Sequence, residues 1–245
     1  MSPNIFRIII NKVLQMRNKP LLFLLLTTIL ATGLFAQGKQ NEVKYEGTEW
    51  TNIWIPSADK NDFPHVLFIG NSITQGYYNF VENSLQGKAY VARYTTSRGI
   101  VDPVLFEEIK NIIKHHKFKV IHFNNGLHGC DYTPIQYETG LKELVKVLKK
   151  YGQGAELIGA TSTPVLPGFV GWKTDEFNQN LIETRNEILI KICREKNIEV
   201  DDLYKVTIDH PEWFSSDKIH YNKDGYKELG KQAVDFILKK IGTSF

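Results

Sequence analysis

Ser72 lies in a segment that suits nucleophilic chemistry. It follows a short apolar run, His65–Ile69, and a glycine at position 70, and a helix is predicted to come after it. A serine between a buried strand and a helix is well placed to attack a carbonyl carbon, because the helix N-terminus offers N–H groups to a developing anion. Taken alone, such a serine is more often only a helix cap.

A second reactive pair, Asp217 and His220, lies near the end of the chain. A serine hydroxyl is a weak nucleophile until a base accepts its proton, and histidine is the usual base near neutral pH. The base needs an acceptor on its other ring nitrogen, which fixes the tautomer and the orientation of the ring. An aspartate three residues earlier can supply that acceptor. By itself, an Asp-x-x-His pair is often a helix cap next to a surface histidine.

The segments that must position these residues alternate between apolar runs and helical patterns. Five runs are predicted to be strands: His65–Ile69, Ala89–Tyr94, Lys119–Phe123, Glu156–Ala160 and a short run starting with Ile198–Val200. Five segments are predicted to be helices: Tyr78–Leu85, Pro103–His116, Thr133–Lys150, Asp175–Lys196 and Asn222–Ile241. This alternation implies an α/β domain with a mostly parallel five-stranded sheet, covered by helices on both faces. Ligands of such sheets bind beyond the carboxyl ends of the strands, so the loops there are the candidate site.

Composition excludes several other classes of protein. The 245 residues are 42% hydrophobic and 23% charged, which is typical of a globular protein. The net charge is +3, but residues 1–36 hold four basic residues and no acidic one, so the remainder has no basic surplus for nucleic acid. Two cysteines exclude a disulfide-built scaffold. Cys130 and Cys193 either pair or remain as two buried thiols.

The first 36 residues have the pattern of a signal peptide. A basic start at Met16–Lys19 precedes the apolar run Pro20–Phe35, and cleavage is expected near Ala36. The alternative is a retained membrane anchor, although the run is shorter than the ~20 residues that span a bilayer. The true start is either Met1 or Met16. The sequence thus predicts a secreted or periplasmic protein, with residues 37–62 as an extended N-terminal arm.

The two reactive segments together resemble the SGNH (GDSL-type) hydrolases. Phe68–Gly76 (FIGNSITQG) looks like the first block of that family, with Asn71 where aspartate is usual. Asp217–Asn222 (DKIHYN), with Gly225 and Tyr226, resembles the last block. The blocks stand in the family's order at the two ends of one domain, which is placed at residues 63–245.

This resemblance implies a three-layer α/β/α flavodoxin-like fold and hydrolysis of carboxylic esters through an acyl-serine. Ser72 would be the nucleophile, His220 the general base and acid, and Asp217 its orienting partner. No metal and no organic cofactor are implied. His122, His128 and Asp131 lie close in sequence, but they lack a standard metal-ligand spacing.

The resemblance also implies an oxyanion hole, built from the N–H groups of Ser72 and Gly99 and a side chain from the family's third block. That block is usually Gly-x-Asn-Asp, whereas this chain has Asn124–Gly129 (NNGLHG). Alignment on its internal glycine places His128 where the asparagine is expected. Asn125 or its neighbour Asn124, in a shifted loop, is the alternative donor, and a third possibility is that neither histidine nor asparagine donates.

The substrate is less well defined by the sequence. Export and near-neutral charge favour O-acetyl groups on carbohydrates, and Trp172 and Trp213 lie in loops where a sugar ring could stack. Such tryptophans also often only pack. A lipid or short-chain acyl esterase, of the lysophospholipase or thioesterase kind, is the alternative enzyme. A catalytically weak glycan-binding protein of the cell envelope is the alternative outside enzymes. The expected partner is a small-molecule or glycan ester, with membrane contact only through an uncleaved signal segment.

Overall fold

A six-stranded sheet runs through the part of the chain that this computed structural model describes, which is residues 43, 45–169 and 179–242. In chain order its strands are β1 (Thr51–Trp54), β2 (His65–Gly70), β3 (Tyr90–Thr96), β4 (Val120–Phe123), β5 (Glu156–Ala160) and β6 (Glu199–Asp201). Their order across the sheet is β1-β3-β2-β4-β5-β6, and all neighbours are parallel except β1 and β3. The mostly parallel α/β sheet is therefore confirmed. The predicted signal peptide, residues 1–36, lies outside the described residues.

Helices cover both faces of this sheet. They are α1 (Ser72–Ser84), α2 (Pro103–His115), α3 (Pro134–Tyr151), α4 (Gln179–Glu195), α5 (Leu203–Thr207) and α6 (Lys223–Ile241), with a 3₁₀ turn at Pro211–Trp213. One hydrophobic core lies under α1 and α6, and a second lies under α2 and α3 with the carboxyl half of α4. The three-layer arrangement is confirmed. None of the helices described is both long and apolar enough to cross a membrane.

Strand β2 shows why the sheet must be covered twice. Val66 and Phe68 pack into the core on one face, whereas Leu67 and Ile69 pack into the core on the other. All four side chains are almost fully buried. A strand that is apolar at every position gains stability only when both of its faces are removed from water, which a central parallel strand achieves.

The prediction of five strands was wrong, because the N-terminal arm adds a sixth. Residues 51–54 pair antiparallel with β3, with Thr51 opposite Thr96 and Trp54 opposite Arg93. The side chains of β1 are mostly exposed. An edge strand of this kind has no buried face, so it carries no alternation of apolar and polar residues from which it could be predicted.

Helix α1 begins six residues earlier than predicted, at Ser72 instead of Tyr78. The side-chain oxygen of Asn71 accepts the N–H of Ile73 at 2.9 Å and caps the helix there. Gly76 obscured this start, because glycine disfavours helix interiors. Its place is explained by packing: a Cβ at this position would overlap the ring of Tyr226 on α6.

Candidate active site

Ser72, His220 and Asp217 form a hydrogen-bonded chain, which begins where β2 runs into α1. Ser72 Oγ lies 2.8 Å from His220 Nε2, and Nδ1 of the same ring lies 2.6 Å from Asp217 Oδ2. An ionised carboxylate only accepts hydrogen bonds, so Nδ1–H donates to Asp217 and Nε2 accepts the serine hydroxyl. In this geometry a histidine can remove the proton of a serine nucleophile.

The turn between β2 and α1 places the Ser72 hydroxyl. A Cβ at Gly70 would overlap the side chain of Thr74, so only glycine allows the chain to turn this closely into the helix. Asn71 then caps α1, and Ser72 is the first residue of the helix. The positive end of the helix dipole therefore lies beside the serine, where negative charge develops during attack on an ester.

Asp217 is held in its ionised form by four hydrogen bonds. Besides the His220 ring, the backbone N–H groups of Ile219 and His220 and the Ser215 hydroxyl donate to its Oδ1, at 3.2, 3.0 and 2.7 Å. Partial burial would raise the pKa of Asp217, but these hydrogen bonds outweigh burial and hold the pKa well below 3.8. Lys218 adopts a left-handed φ of 67°, which tightens the turn between aspartate and histidine.

A cavity of about 280 Å³ opens in front of these residues. Its lining combines the three polar residues with apolar side chains and one further histidine: Ser72, Leu127, His128, Phe169, Asp217, Ile219 and His220. Of the side chains predicted as oxyanion donors, His128 is thus the one that faces the same cavity as Ser72. The apolar walls limit access of water to a bound acyl group, which strengthens electrostatic interactions inside.

Asn125 and Gly99 do not belong to the described lining of this cavity. The Asn125 side-chain amide donates to the Arg98 carbonyl at 2.9 Å, which joins the loops after β3 and β4. Gly99 packs against Gly129 so closely that a Cβ on Gly99 would lie 3.2 Å from the Gly129 Cα. Asn125 therefore braces the two loops that were predicted to form the oxyanion hole.

Of the two tryptophans predicted to stack on a sugar, only Trp213 lies within the described residues. Trp172 lies outside the described residues. Trp213 belongs to the 3₁₀ turn, where its ring stacks on His210 with centroids 3.8 Å apart and packs against the core. It does not belong to the described lining of the cavity. One face of the ring is thus already covered by a side chain of the protein itself.

Sequence reasoning missed Arg185, which holds the loop after β4 from α4. Arg185 is 1% exposed, and its guanidinium donates to the carbonyls of Gly126 and His128 at 2.8 and 3.1 Å, and to that of Gly129 at 2.6 Å. Burial lowers its pKa. The sequence did contain an indication that Arg185 is buried. It lies on the same face of the helix as Ile182 and Leu189, both of which are buried.

The N-terminal arm supplies a second contact that was not predicted. Glu46 Oε1 lies 2.7 Å from His128 Nδ1, and the Trp50 ring meets the same imidazole edge-on. The arm is fixed to Ser97 at the end of β3, whose hydroxyl donates to Glu49 at 2.8 Å and accepts the N–H of Trp50 at 2.9 Å. No motif pointed to this contact, because residues 82 positions apart meet only in the folded chain.

His122, which was considered as a metal ligand, is hydrogen-bonded to an aspartate instead. Its Nε2 lies 2.9 Å from Asp201 Oδ2, and both side chains are fully buried between the sheet and α6. Among the residues that the structure describes, no cluster of three or more histidine, cysteine, aspartate or glutamate side chains could hold a metal ion.

Comparisons with known proteins agree with this fold. The sequence model of the family described as GDSL-like lipase/acylhydrolase matches residues 119–233, which include His128, Asp217 and His220. Over these residues the chain is similar to this family, the SGNH (GDSL-type) hydrolases, which supports a serine ester hydrolase. No curated protein sequence matches it significantly.

Solved structures similar to this chain share its fold. A putative acylhydrolase from Bacteroides fragilis is 18% identical, with a TM-score of 0.62 over 76% of this chain and 92% of its own. A GDSL-like lipase from Bacteroides thetaiotaomicron is 14% identical, with a TM-score of 0.59 over 71% and 89%. An acetylxylan esterase from Geobacillus stearothermophilus is 18% identical, with a TM-score of 0.57 over 74% and 95%.

Proposed function

We propose that this protein is an exported esterase that removes O-acetyl groups from carbohydrates, with Ser72, His220 and Asp217 as its catalytic residues. The observation that carries the assignment of the residues is the continuous hydrogen-bonded chain from Ser72 Oγ through the His220 ring to Asp217. Export is proposed from the signal-like pattern of residues 1–36.

The reaction follows from this geometry in two halves. Ser72 Oγ attacks the ester carbonyl as its proton moves to His220 Nε2, and the same nitrogen then protonates the departing alcohol. The acyl group is left on the serine. A water molecule gives a proton to His220 and attacks the acyl-serine, which releases the carboxylic acid and restores the hydroxyl. Asp217 remains ionised throughout and keeps the ring in the required tautomer.

The size of the cavity supports a short acyl group. At about 280 Å³, and with Leu127, Phe169 and Ile219 in its lining, it has room for an acetyl group and part of an alcohol. The similar acetylxylan esterase from Geobacillus stearothermophilus acts on a carbohydrate ester, which is consistent with this choice.

A second candidate is an esterase for longer acyl chains. Phe169 also lines a neighbouring cavity of about 540 Å³, whose walls include Leu166, Ile208 and Phe214. An acyl chain passing Phe169 could enter this apolar space, and its burial would contribute about 0.8 kcal/mol per methylene.

The first experiment compares hydrolysis of p-nitrophenyl acetate by the wild-type protein and Ser72→Ala. The rate is expected to fall by ~10³ or more, because the nucleophile is lost. Ser216→Ala is the matched control, since Ser216 is exposed in the loop beside Asp217 and takes no part in the chain. Equal rates for the wild type and Ser72→Ala would contradict the assignment.

A second experiment distinguishes the two candidate substrate classes. It compares acetate release from acetylated xylan with fatty-acid release from a lysophospholipid.

A further inference from the structure

A groove of about 550 Å³ runs between α3 and α4, and it shares no described lining residue with the cavity of Ser72. Val145 and Ile192 line it, and most of its surface is apolar because lysine side chains expose their aliphatic stems there. The charged groups along it are Glu195 and five lysines: Lys142, Lys146, Lys149, Lys150 and Lys196. A ligand that fits this groove must therefore combine negative charge with apolar surface.

Three of these lysines lack a counter-charge within the described residues. Lys142 and Lys146 each pair with a glutamate of their own helix, at 2.7 and 2.9 Å. Lys149, Lys150 and Lys196 form no ion pair with a described carboxylate. The Lys149 Nζ donates instead to the Lys196 backbone carbonyl at 2.8 Å. All three side chains are exposed, so an anionic ligand would meet positive charge that no neighbouring carboxylate balances.

The positive charge continues past the groove to Tyr151, the last residue of α3. The Nζ atoms of Lys150 and Lys110 lie 5.1 and 5.2 Å from the centre of its ring. A hydrogen bond with Lys150, together with the charges of Lys150, Lys110 and Lys114, outweighs partial burial and lowers the pKa of this phenol. Residues 37–245 as a whole have no basic surplus, so the concentration of lysines is a local feature of this face.

The groove lies far from the catalytic residues. Helix α3 begins in the loop after β4, at the end of the sheet where Ser72 lies, and finishes close to the start of β5 at the opposite end. Its 18 residues span ~27 Å. A small ester at Ser72 thus cannot reach Lys149 or Lys150, whereas a polymer can occupy both places at once.

We propose that the groove between α3 and α4 binds an acidic polysaccharide, whose uronic-acid carboxylates pair with Lys149, Lys150 and Lys196 while its sugar rings cover the apolar surface. This binding site rests on the proposed carbohydrate esterase and deepens it, because it defines the substrate as a polyuronate that carries O-acetyl groups. The groove would hold a stretch of the polymer distant from the ester that Ser72 attacks.

An anionic membrane fits the same charge less well. Helices that bind at a bilayer surface insert protruding apolar side chains between the lipids. Val145 and Ile192 are 2% and 1% exposed, so they cannot be inserted, and the lysines alone would contact the headgroups. A chain of sugar rings can instead enter the groove.

The first test measures binding to polygalacturonate, with its fully methyl-esterified form as the uncharged control. Wild-type protein should prefer the acidic polymer, and binding should weaken as NaCl is raised, because salt screens exposed charges. The triple variant Lys149→Gln/Lys150→Gln/Lys196→Gln is expected to lower the affinity ~10-fold or more, since three exposed ion pairs are lost together. Equal binding of the two polymers, or unchanged binding by this variant, would overturn the proposal.

The matched control is Lys205→Gln/Lys227→Gln/Lys231→Gln, which removes three exposed lysines from α5 and α6 on the opposite face of the sheet. Its affinity should stay within about twofold of the wild type, because these charges lie beyond the range of screened interactions with the groove. An equal loss in this control would show a general effect of net charge and contradict the assignment to the groove. Tighter binding of wild-type protein to phosphatidylglycerol vesicles than to polygalacturonate would identify a membrane surface and overturn the proposal.

Catalysis distinguishes this proposal from the function on which it rests. The groove variant should raise KM for acetylated polygalacturonate ~10-fold while kcat, and the rate with p-nitrophenyl acetate, stay unchanged, because the residues around Ser72 are untouched. An unchanged KM for the polymer would refute a role of the groove in substrate binding. If wild-type protein binds polygalacturonate through these lysines but releases no acetate from any polymer, the esterase function fails while the groove remains supported as a carbohydrate-binding surface.

Discussion

At the scale of single residues, the tautomer and the orientation of the His220 ring depend on Asp217. The aspartate accepts from Nδ1 at 2.6 Å, so the proton-free nitrogen is the one that faces Ser72 at 2.8 Å. The same carboxylate also receives two backbone N–H groups and one hydroxyl. Its charge thus orients the ring and holds together the turn that carries the ring.

Replacement of Asp217 by asparagine tests both roles. The amide can donate to Nδ1 and place the ring proton on Nε2, so kcat is expected to fall by ~10⁴.

Because the folded pKa of Asp217 lies below 3.8, its charge stabilises the fold above that pH and the contribution is lost as the pH falls through the folded pKa. The urea midpoint of the variant should therefore lie below that of the wild type at neutral pH, and the gap should narrow in acid. A gap independent of pH would contradict this account.

At the scale of secondary-structure elements, the side chain of Arg185 links α4 to the loop after β4. Arg185 gives three hydrogen bonds to the carbonyls of residues 126, 128 and 129, and its guanidinium lies 5.0 Å from the ring centre of Tyr137 on α3. No carboxylate within the described residues pairs with it at hydrogen-bonding distance. The hydrogen bonds offset the cost of burying this cation, and they keep His128 at the cavity.

Arg185→Met is expected to lower the free energy of unfolding by ~3 kcal/mol, because buried carbonyls are left without donors. Arg185→Lys should lie between this variant and the wild type, since an ammonium donates but cannot reach all three carbonyls as a planar fork does. The exposed Arg194 on the same helix provides the control, and its change to methionine should stay within ~0.5 kcal/mol. Urea denaturation measures these differences, and an unchanged midpoint for Arg185→Met would refute this role.

These elements also show what the sequence could and could not predict. Strands β2 to β5 were predictable because each contains a short run rich in buried apolar residues. The two ends of the catalytic chain were predictable because each lies within a short local motif. Strand β1 was not, because it pairs through backbone groups at an exposed edge. The contact of Glu46 with His128 was not predictable either, since it arises only when β1 carries the arm past the end of β3.

At the scale of the whole molecule, the sheet divides the interior into two separate cores. Cys130 packs into the core beneath α1 and α6, whereas Cys193 packs into the core on the opposite face, where Gly159 leaves room for its sulfur. Both are buried free thiols. A disulfide between them would have to pass through the sheet, so the alternative of two separate thiols, left open by the sequence, is the one that the fold favours.

The reactivity of the two thiols tests this division of the interior. Burial raises the pKa of Cys130 to about 12 and that of Cys193 to about 11, so at about pH 8 no more than ~10⁻³ of either is thiolate. A thiol reagent such as DTNB should leave the native protein unmodified and should titrate both cysteines once urea has unfolded the chain, without any reductant. Each single cysteine-to-serine variant should then titrate one thiol, which assigns the signals. Unfolded wild-type protein that reacts only after reduction would reveal a disulfide, and the placement of the two cysteines on opposite faces of the sheet would have to be abandoned.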